Sequence, residues 1–177
     1  MATIIAFVHI EKAAGTTVTE LMRECLGTQH LDVFSSNDKS YFSQSDLNVL
    51  KKHYPNLISI AGHRIKPYVD FDDDIIFYTV LRDPIKRSIS HYQYLVETAL
   101  VPVPSFKEWI LKEENQNFQV KKIAGDASVD KAIDIINSRF AHVGILEDFD
   151  NSLEQIFDRL PYEIVYSIFK TKNLAKN

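Results

Sequence analysis

The spacing of apolar and polar positions along the chain predicts strands that alternate with helices. Short, continuous apolar runs rich in β-branched and aromatic residues are typical of buried strands. Apolar residues that recur every three or four positions indicate helices between them. Strands separated by helices predict an α/β fold, a three-layer sandwich in which a central parallel sheet has helices on both faces. The predicted strands cover residues 3–10, 57–61, 75–81 and 143–146.

Turn and capping residues set the expected ends of the helices. Thr16 or Thr17 is expected to cap the first helix, and Gly27 to stop it. Asp83 and Pro84 supply a cap and a first-turn proline for a later helix. The apolar face of that later helix is predicted to carry Ile85, Ile89, Tyr92 and Val96. Further helices are predicted over residues 44–54, from 105 onward, and over 129–140 and 152–160.

Polar residues follow three of the predicted strands. Lys12 follows the first strand, His63 the second and Arg82 the third. Ligands of open parallel sheets collect beyond the carboxyl ends of the strands, so these three side chains are expected to share one site.

Length and charge narrow the classes of function. The 177 residues correspond to one domain, expected to span 1–177, and 45% of them are hydrophobic, as in ordinary globular proteins. Twenty basic and 24 acidic residues give a net charge of −4, which disfavours nucleic-acid binding but leaves room for a basic pocket that takes one small anion.

Cysteine usage and hydropathy indicate a cytoplasmic protein that needs no metal. Cys25 is the only cysteine, which excludes a disulfide framework and a Cys-rich zinc site and favours a reducing compartment. His9, Glu11 and Lys12 interrupt the first apolar run, so neither a signal peptide nor a membrane span is expected there. The aspartates at 70–74 lack the regular spacing of a cation-binding loop, and no metal site is predicted.

The turn after the first strand has the composition of a phosphate cradle. Small residues let backbone N–H groups approach an oxyanion, and the following helix adds partial positive charge. A Walker A loop is excluded, because Lys12 precedes Gly15, the only glycine of the turn, by three residues. A plain strand-to-helix connection with a solvated lysine is the alternative. The residues expected to contribute are Lys12, Ala13, Ala14, Gly15, Thr16 and Thr17.

A second segment, residues 78–94, places Arg82 at a strand end and Ser90 about two turns into the next helix. Arginine suits phosphate because its planar guanidinium donates two parallel hydrogen bonds. The alternative is a surface pair between Arg82 and Asp83, with Lys86 and Arg87 on a basic, solvated helix face.

Together these segments resemble the sulfotransferases that use 3′-phosphoadenosine-5′-phosphosulfate (PAPS), in particular the carbohydrate type related to heparan sulfate 2-O-sulfotransferases. HIEKAAGTT at residues 9–17 is similar to the family's 5′-phosphosulfate loop, HIPKTGGTS, and LRDPIKRSISHY at 81–92 to its 3′-phosphate segment, LRDPVERFLSHY. The resemblance continues through IAGHRI at 60–65, NFQVKKIAG at 117–125 and HVGILEDFDNSLEQI at 142–156.

The resemblance implies a P-loop-like fold and in-line transfer of a sulfuryl group from PAPS to an acceptor hydroxyl, on a carbohydrate or a small molecule. It implies that Lys12 and the backbone of residues 13–17 hold the 5′-phosphosulfate, and that Arg82 and Ser90 hold the 3′-phosphate. His63 matches the position of a catalytic histidine and is expected to be the base. Glu11 and the two alanines at 13–14 depart from the family loop and make it less suited to positive φ.

Two other classes of protein remain open from the sequence. A nucleotide kinase or related phosphoryl-transfer enzyme could share the cradle and would require Mg²⁺. A catalytically inactive nucleotide-binding module is the second alternative. The chain ends in TKNLAKN, near the point where the family continues with a loop that returns to the nucleotide, which indicates an excised domain, a trimmed chain or a minimal enzyme.

Some residues inside the motifs receive no chemical role. His9 is expected within the first strand and His91 on a helix, both as structural residues. Asn117, Gln119 and Lys121 match a family segment, and a surface loop explains them equally well. The sequence leaves the acceptor and the oligomeric state open.

Overall fold

A computed structural model describes residues 3–34 and 40–164, and its centre is a parallel sheet of five strands in the order β2-β3-β1-β4-β5. The predicted α/β fold with a central parallel sheet is confirmed. The chain leaves β1 toward one side of the sheet and β4 toward the other, so a switch point lies between these two neighbours. The strands are β1 (Ile4–Val8), β2 (His30–Asp32), β3 (Ser59–Gly62), β4 (Ile75–Leu81) and β5 (Phe140–Ile145).

Helices connect the strands and cover both faces of the sheet. Three short 3₁₀ turns accompany them, at Gly27–Gln29, Glu113–Asn115 and Leu146–Asp148. The α-helices are α1 (Gly15–Leu26), α2 (Gln44–His53), α3 (Pro84–Thr98), α4 (Phe106–Ile110), α5 (Phe118–Ala124), α6 (Val129–Arg139) and α7 (Phe149–Arg159).

Strand β1 is buried on both faces, which explains its unbroken apolar sequence. Ile5 and Phe7 pack with apolar residues of α1 and α7 on one face, and Ile4, Ala6 and Val8 pack with residues of α2 on the other. The sheet therefore separates two apolar cores, as a three-layer sandwich requires.

The start of α1 differs from the prediction. The helix begins at Gly15, and its N-cap is Ala14 in a left-handed conformation with φ 59°. Thr16 and Thr17 lie inside the first turn, so the expectation that one of them caps the helix was wrong. The left-handed Ala14 turns the chain into the helix without a side-chain cap.

Other element boundaries differ from the predicted ones, and two elements were not predicted. Strand β1 ends at Val8, so His9 lies beyond the strand rather than within it. Strand β5 begins three residues and α7 three residues earlier than predicted, at Phe140 and Phe149. Strand β2 and helix α5 were not predicted; β2 is only three residues long and α5 only seven.

Helix α3 does not bury the face that its spacing predicts. Ile85 is 69% exposed and Val96 53% exposed, while Arg87 is 1% exposed. The inward side of α3 is aromatic and basic instead: the Arg87 guanidinium lies 4.1 Å from the centroid of the Phe118 ring, and the Tyr92 ring lies 5.6 Å from that of Trp109.

None of the helices within residues 3–34 and 40–164 is long and apolar enough to cross a membrane. The terminal TKNLAKN segment lies outside the described residues, and the extent of the domain over 1–177 stays a prediction.

Candidate functional site

A cavity of about 470 Å³ opens where β1, β3 and β4 end. The side chains of Lys12, His63 and Arg82, which follow these strands, all line it, and so does Ser90 of α3. The cavity therefore lies at the switch point of the sheet, where ligands of such folds bind. The remaining lining residues are His9, Glu11, Ala14, Gly15, Thr16, His91, Tyr94 and Leu146.

The loop after β1 takes two left-handed turns without glycine. Lys12 has φ 68° and Ala14 has φ 59°, although both residues carry a Cβ atom. Such conformations are costly and are maintained where the surrounding structure requires them. They direct the loop straight into α1, whose first four N–H groups have no partner within the helix. The N-terminus of α1, at Gly15 and Thr16, therefore borders the cavity.

The predicted loop residues divide into two groups. Lys12, Ala14, Gly15 and Thr16 line the cavity, but Ala13 and Thr17 do not. Ala13 is 1% exposed, and its N–H donates to the Ile10 carbonyl at 3.3 Å. The Lys12 ammonium lies 4.6 Å from the centroid of the Tyr94 ring, which holds the charge over the cavity by a cation–π contact.

Gly15 is required by the position of His9. A Cβ atom on Gly15 would lie 1.9 Å from Cδ2 of His9, far inside van der Waals contact. The imidazole of His9 thus packs directly against the start of α1. Burial, with a smaller contribution from His63, lowers the pKa of His9 to about 4, so this ring is neutral at physiological pH.

Arg82 is held by its backbone and by its side chain. Gln119 Oε1 accepts from the Arg82 N–H at 3.0 Å, and Gln119 Nε2 donates to the Arg82 carbonyl at 2.7 Å. The guanidinium donates from Nη1 to the Lys12 carbonyl at 3.2 Å, which ties the loop after β4 to the loop after β1. The segment around Gln119, which had no role from the sequence, thus fixes Arg82.

His63 has a defined tautomer. Its Nδ1 lies 3.0 Å from the carbonyl oxygen of His9, and a carbonyl only accepts hydrogen bonds. In the neutral imidazole, Nδ1 therefore carries the proton and Nε2 keeps its lone pair. The rings of His63 and His9 are 3.9 Å apart at their centroids.

A carboxylate adjoins His63, and two lysines adjoin that carboxylate. Glu11 Oε1 lies 3.5 Å from His63 Nδ1 and accepts from Lys122 Nζ at 2.8 Å. Burial on its own raises the pKa of Glu11, but Lys122 and His63 outweigh that effect and the pKa is lowered. Burial and the neighbouring Lys122 lower the pKa of Lys66 to about 8.

Five residues of the cavity lining were not among the predicted site residues: His9, Glu11, His91, Tyr94 and Leu146. His9 and His91 were assigned structural roles, yet both line the cavity. Arg87 Nη1 lies 3.3 Å from His91 Nδ1, and because a guanidinium only donates, this nitrogen accepts. Burial, followed by the charge of Arg87, lowers the pKa of His91. The HIEKAAGTT and LRDPIKRSISHY motifs already contained both histidines, and that position was the available signal.

A second cavity, of about 350 Å³, lies beside the first, between α1 and strands β2 and β3. His9, Thr16 and His63 line both cavities, so His63 stands between them. The second cavity has apolar and charged walls. Its other lining residues are Thr19, Glu20, Arg23, Asp32, Val33, Phe34, Ala61, Gly62 and Arg64.

Within the part of the chain that the structure describes, no three His, Cys, Asp or Glu residues come together as a metal-binding group.

The fold is a parallel α/β sheet, and the cavity at its switch point is lined by the start of α1, a lysine, an arginine and a histidine. Residues 3–163 match the model of the sulfotransferase family, and the chain belongs to that family. No curated protein matches the sequence significantly. Membership makes the chain a transferase of sulfur-containing groups, with a hydroxyl-bearing acceptor.

Proposed function

We propose that the protein transfers a sulfuryl group from PAPS to an acceptor hydroxyl, with His63 as the base. The observation that carries the proposal is the position of Lys12, His63 and Arg82 on one cavity wall, together with the start of α1. A lysine, an arginine and free helix amides suit a nucleotide that bears phosphate at two positions.

The two loops bind different groups of the donor. Lys12 and the amides at Gly15 and Thr16 hold the 5′-phosphosulfate, and Arg82 with Ser90 holds the 3′-phosphate. The bond from Arg82 to the Lys12 carbonyl supports this division, because it keeps the two anion sites at a constant separation. The hydrogen bonds from Gln119 hold the Arg82 backbone in place, which reduces the ordering needed when the anion binds.

Transfer needs a base, because a hydroxyl is a poor nucleophile at neutral pH. His63 Nε2 takes the proton of the acceptor hydroxyl as the new S–O bond forms. The old S–O bond breaks, and its electron pair leaves on the oxygen of the adenosine 3′,5′-bisphosphate product. Lys12 stabilises the charge that develops on that oxygen. The bond from His63 Nδ1 to the His9 carbonyl supports this assignment, since in the neutral ring it places the lone pair on Nε2.

The acceptor reaches His63 from the second cavity. Sharing of His63 by the two cavities supports this route, because the base must contact the acceptor on the side away from the donor nucleotide. Phe34, which is 80% exposed, offers an aromatic face, and Arg23 and Asp32 offer hydrogen-bonding groups. This combination suits a carbohydrate ring, which has an apolar face and polar edges, and also a small hydroxylated molecule.

The test is transfer of labelled sulfuryl from PAPS to a panel of neutral sugars, acidic glycans and phenols. Wild type is expected to label at least one class of hydroxyl, and His63→Ala to lose about 100-fold or more in turnover while its circular dichroism is unchanged. Full activity of folded His63→Ala would remove the proposed base. Turnover of ATP with Mg²⁺ in place of PAPS would favour the kinase alternative.

A further inference from the structure

Glu11 occupies an unusual position for a carboxylate, because it borders a cavity that is proposed to receive phosphate and sulfate groups. A negative charge there opposes the binding of an anion. The resembled family has proline in its place, so nothing in the loop's backbone demands a glutamate. Its contacts therefore require an explanation other than donor binding.

The contacts of Glu11 centre on His63. Oε1 lies 3.5 Å from His63 Nδ1, on the same nitrogen that contacts the His9 carbonyl at 3.0 Å. The same oxygen accepts from Lys122 at 2.8 Å. The other carboxylate oxygen, Oε2, is buried and has no hydrogen-bond partner among the described residues. The charge of Glu11 is thus poorly solvated and close to the protonated nitrogen of the imidazole.

The charged and titratable groups around His63 bear on this arrangement. Arg82 and His91 line the first cavity with His63, and Glu20, Arg23 and Asp32 line the second. His9 stacks on the ring and is neutral near physiological pH, since its pKa is about 4. Lys122 pairs with Glu11, and Lys66 lies beside Lys122, where burial and that lysine lower its pKa to about 8. Arg64 follows His63 in the chain, and Lys12 lines the same cavity as His63. Among these groups, Glu11 carries a negative charge within 3.5 Å of the His63 ring.

We infer that Glu11 is a positioning residue for His63. It favours the tautomer with the proton on Nδ1 and stabilises the imidazolium that forms when Nε2 takes the acceptor proton. Lys122 partly offsets the Glu11 charge and keeps the carboxylate in place. The inference rests on the proposed function, because it requires His63 to be the base.

The first experiment measures kcat, KM and the pH dependence of kcat for wild type, Glu11→Gln and Lys122→Gln. Glu11→Gln keeps the shape of the side chain and removes its charge. It is expected to lower kcat about 10-fold or more with little change in the KM of the acceptor. The imidazolium loses a favourable charge, so the acidic limb of the kcat profile moves to lower pH.

Lys122→Gln is expected to shift the acidic limb of the kcat profile in the opposite direction. It removes a positive charge from the neighbourhood of His63 and leaves Glu11 without its counter-ion, so the acidic limb moves to higher pH. Asp158→Asn, an exposed change on α7, is the matched control for loss of one carboxylate and is expected to leave the profile unchanged. Shifts of the same sign in Glu11→Gln and Lys122→Gln would overturn the inference, as would a wild-type profile in folded Glu11→Gln.

A measurement on the wild-type protein covers the case in which Glu11→Gln does not fold. The ¹⁵N shifts and proton couplings of the His63 ring report which nitrogen carries the proton. We expect the proton on Nδ1 at neutral pH, and a proton on Nε2 would overturn the inference. His63→Ala separates the two proposals: if it stays active, the proposed base is wrong, whereas inactive His63→Ala with normal Glu11→Gln removes only the role of Glu11.

Discussion

The side-chain amide of Gln119 forms hydrogen bonds to both polar groups of the Arg82 backbone, accepting from the N–H at 3.0 Å and donating to the carbonyl at 2.7 Å. This relationship joins α5 to the end of β4. It explains why a residue far along the chain contributes to the cavity without lining it.

Removal of the Gln119 amide should weaken the hold on Arg82. Gln119→Ala loses both bonds and leaves two backbone groups unpaired, so stability should fall by about 1–3 kcal/mol. Affinity for adenosine 3′,5′-bisphosphate should fall about 10-fold, which calorimetry would detect. Gln116→Ala, which removes a single bond to the Leu111 carbonyl, is the control and should retain that affinity. Equal affinities in both variants would show that Gln119 does not support the nucleotide site.

Gly15 should not tolerate a side chain. Gly15→Ala places a methyl group 1.9 Å from the His9 ring, so we expect a loss of about 3 kcal/mol in the free energy of unfolding by urea. Gly27→Ala is the comparison: its Cβ meets no atom within 4 Å, but the φ of 53° costs about 1 kcal/mol. If Gly15→Ala costs no more than Gly27→Ala, then His9 does not pack against α1 as described.

Lys12 and Arg82 should affect different steps. Lys12→Met is expected to lower kcat about 100-fold, because the charge on the departing oxygen loses its cation. Arg82→Gln is expected to weaken binding of adenosine 3′,5′-bisphosphate more than Lys12→Met does, since that product retains the 3′-phosphate and lacks the sulfuryl group. Lys86→Met, an exposed change on α3, controls for the lost charge. Steady-state kinetics and calorimetry on the three variants would measure both effects.

The half-buried His9 predicts a pH-dependent stability. Its pKa is lowered to about 4 in the folded protein, mainly by burial, from 6.5 when unfolded. The unfolded chain binds the proton first as pH falls, so this contribution to stability is fully present above pH 6.5 and is lost progressively toward pH 4. Because the ring is partly exposed, we expect a loss of about 2 kcal/mol at most.

Urea unfolding between pH 7 and pH 4 would measure that loss. His9→Gln should flatten the dependence on pH, whereas His53→Gln, an exposed change at the end of α2, should leave the slope as in wild type. A slope unchanged by His9→Gln would contradict the assignment of the effect to His9.

Much of the fold followed from the apolar pattern, because β1 and β4 are continuous apolar runs and α1 and α7 have periodic apolar faces. The missed elements carry too little pattern. Strand β2 has three residues, and it exists because β3 supplies its hydrogen bonds.

The parts of the site that depend on tertiary packing were not predictable. The sequence predicts that Arg87 is solvated, yet the ring of Phe118 covers its guanidinium in the fold. His9 reads as part of a strand, and only the end of β1 at Val8 places it on the cavity wall. In the sequence, Glu11 stands out only because it departs from the family motif. Its contact with Lys122 could not be predicted, because Lys122 lies 111 positions further along the chain.

The proposed function requires above all that the cavity at the ends of β1, β3 and β4 binds a nucleotide with a 3′-phosphate. Calorimetric titration of adenosine 3′,5′-bisphosphate and of ATP with Mg²⁺ into the wild-type protein and Arg82→Gln tests it directly. We predict that the bisphosphate binds wild type more tightly than ATP with Mg²⁺ does, and that this preference is lost in Arg82→Gln. Tighter binding of ATP with Mg²⁺, or a bisphosphate affinity that does not change in Arg82→Gln, would show that the cavity is not a site for a 3′-phosphate nucleotide.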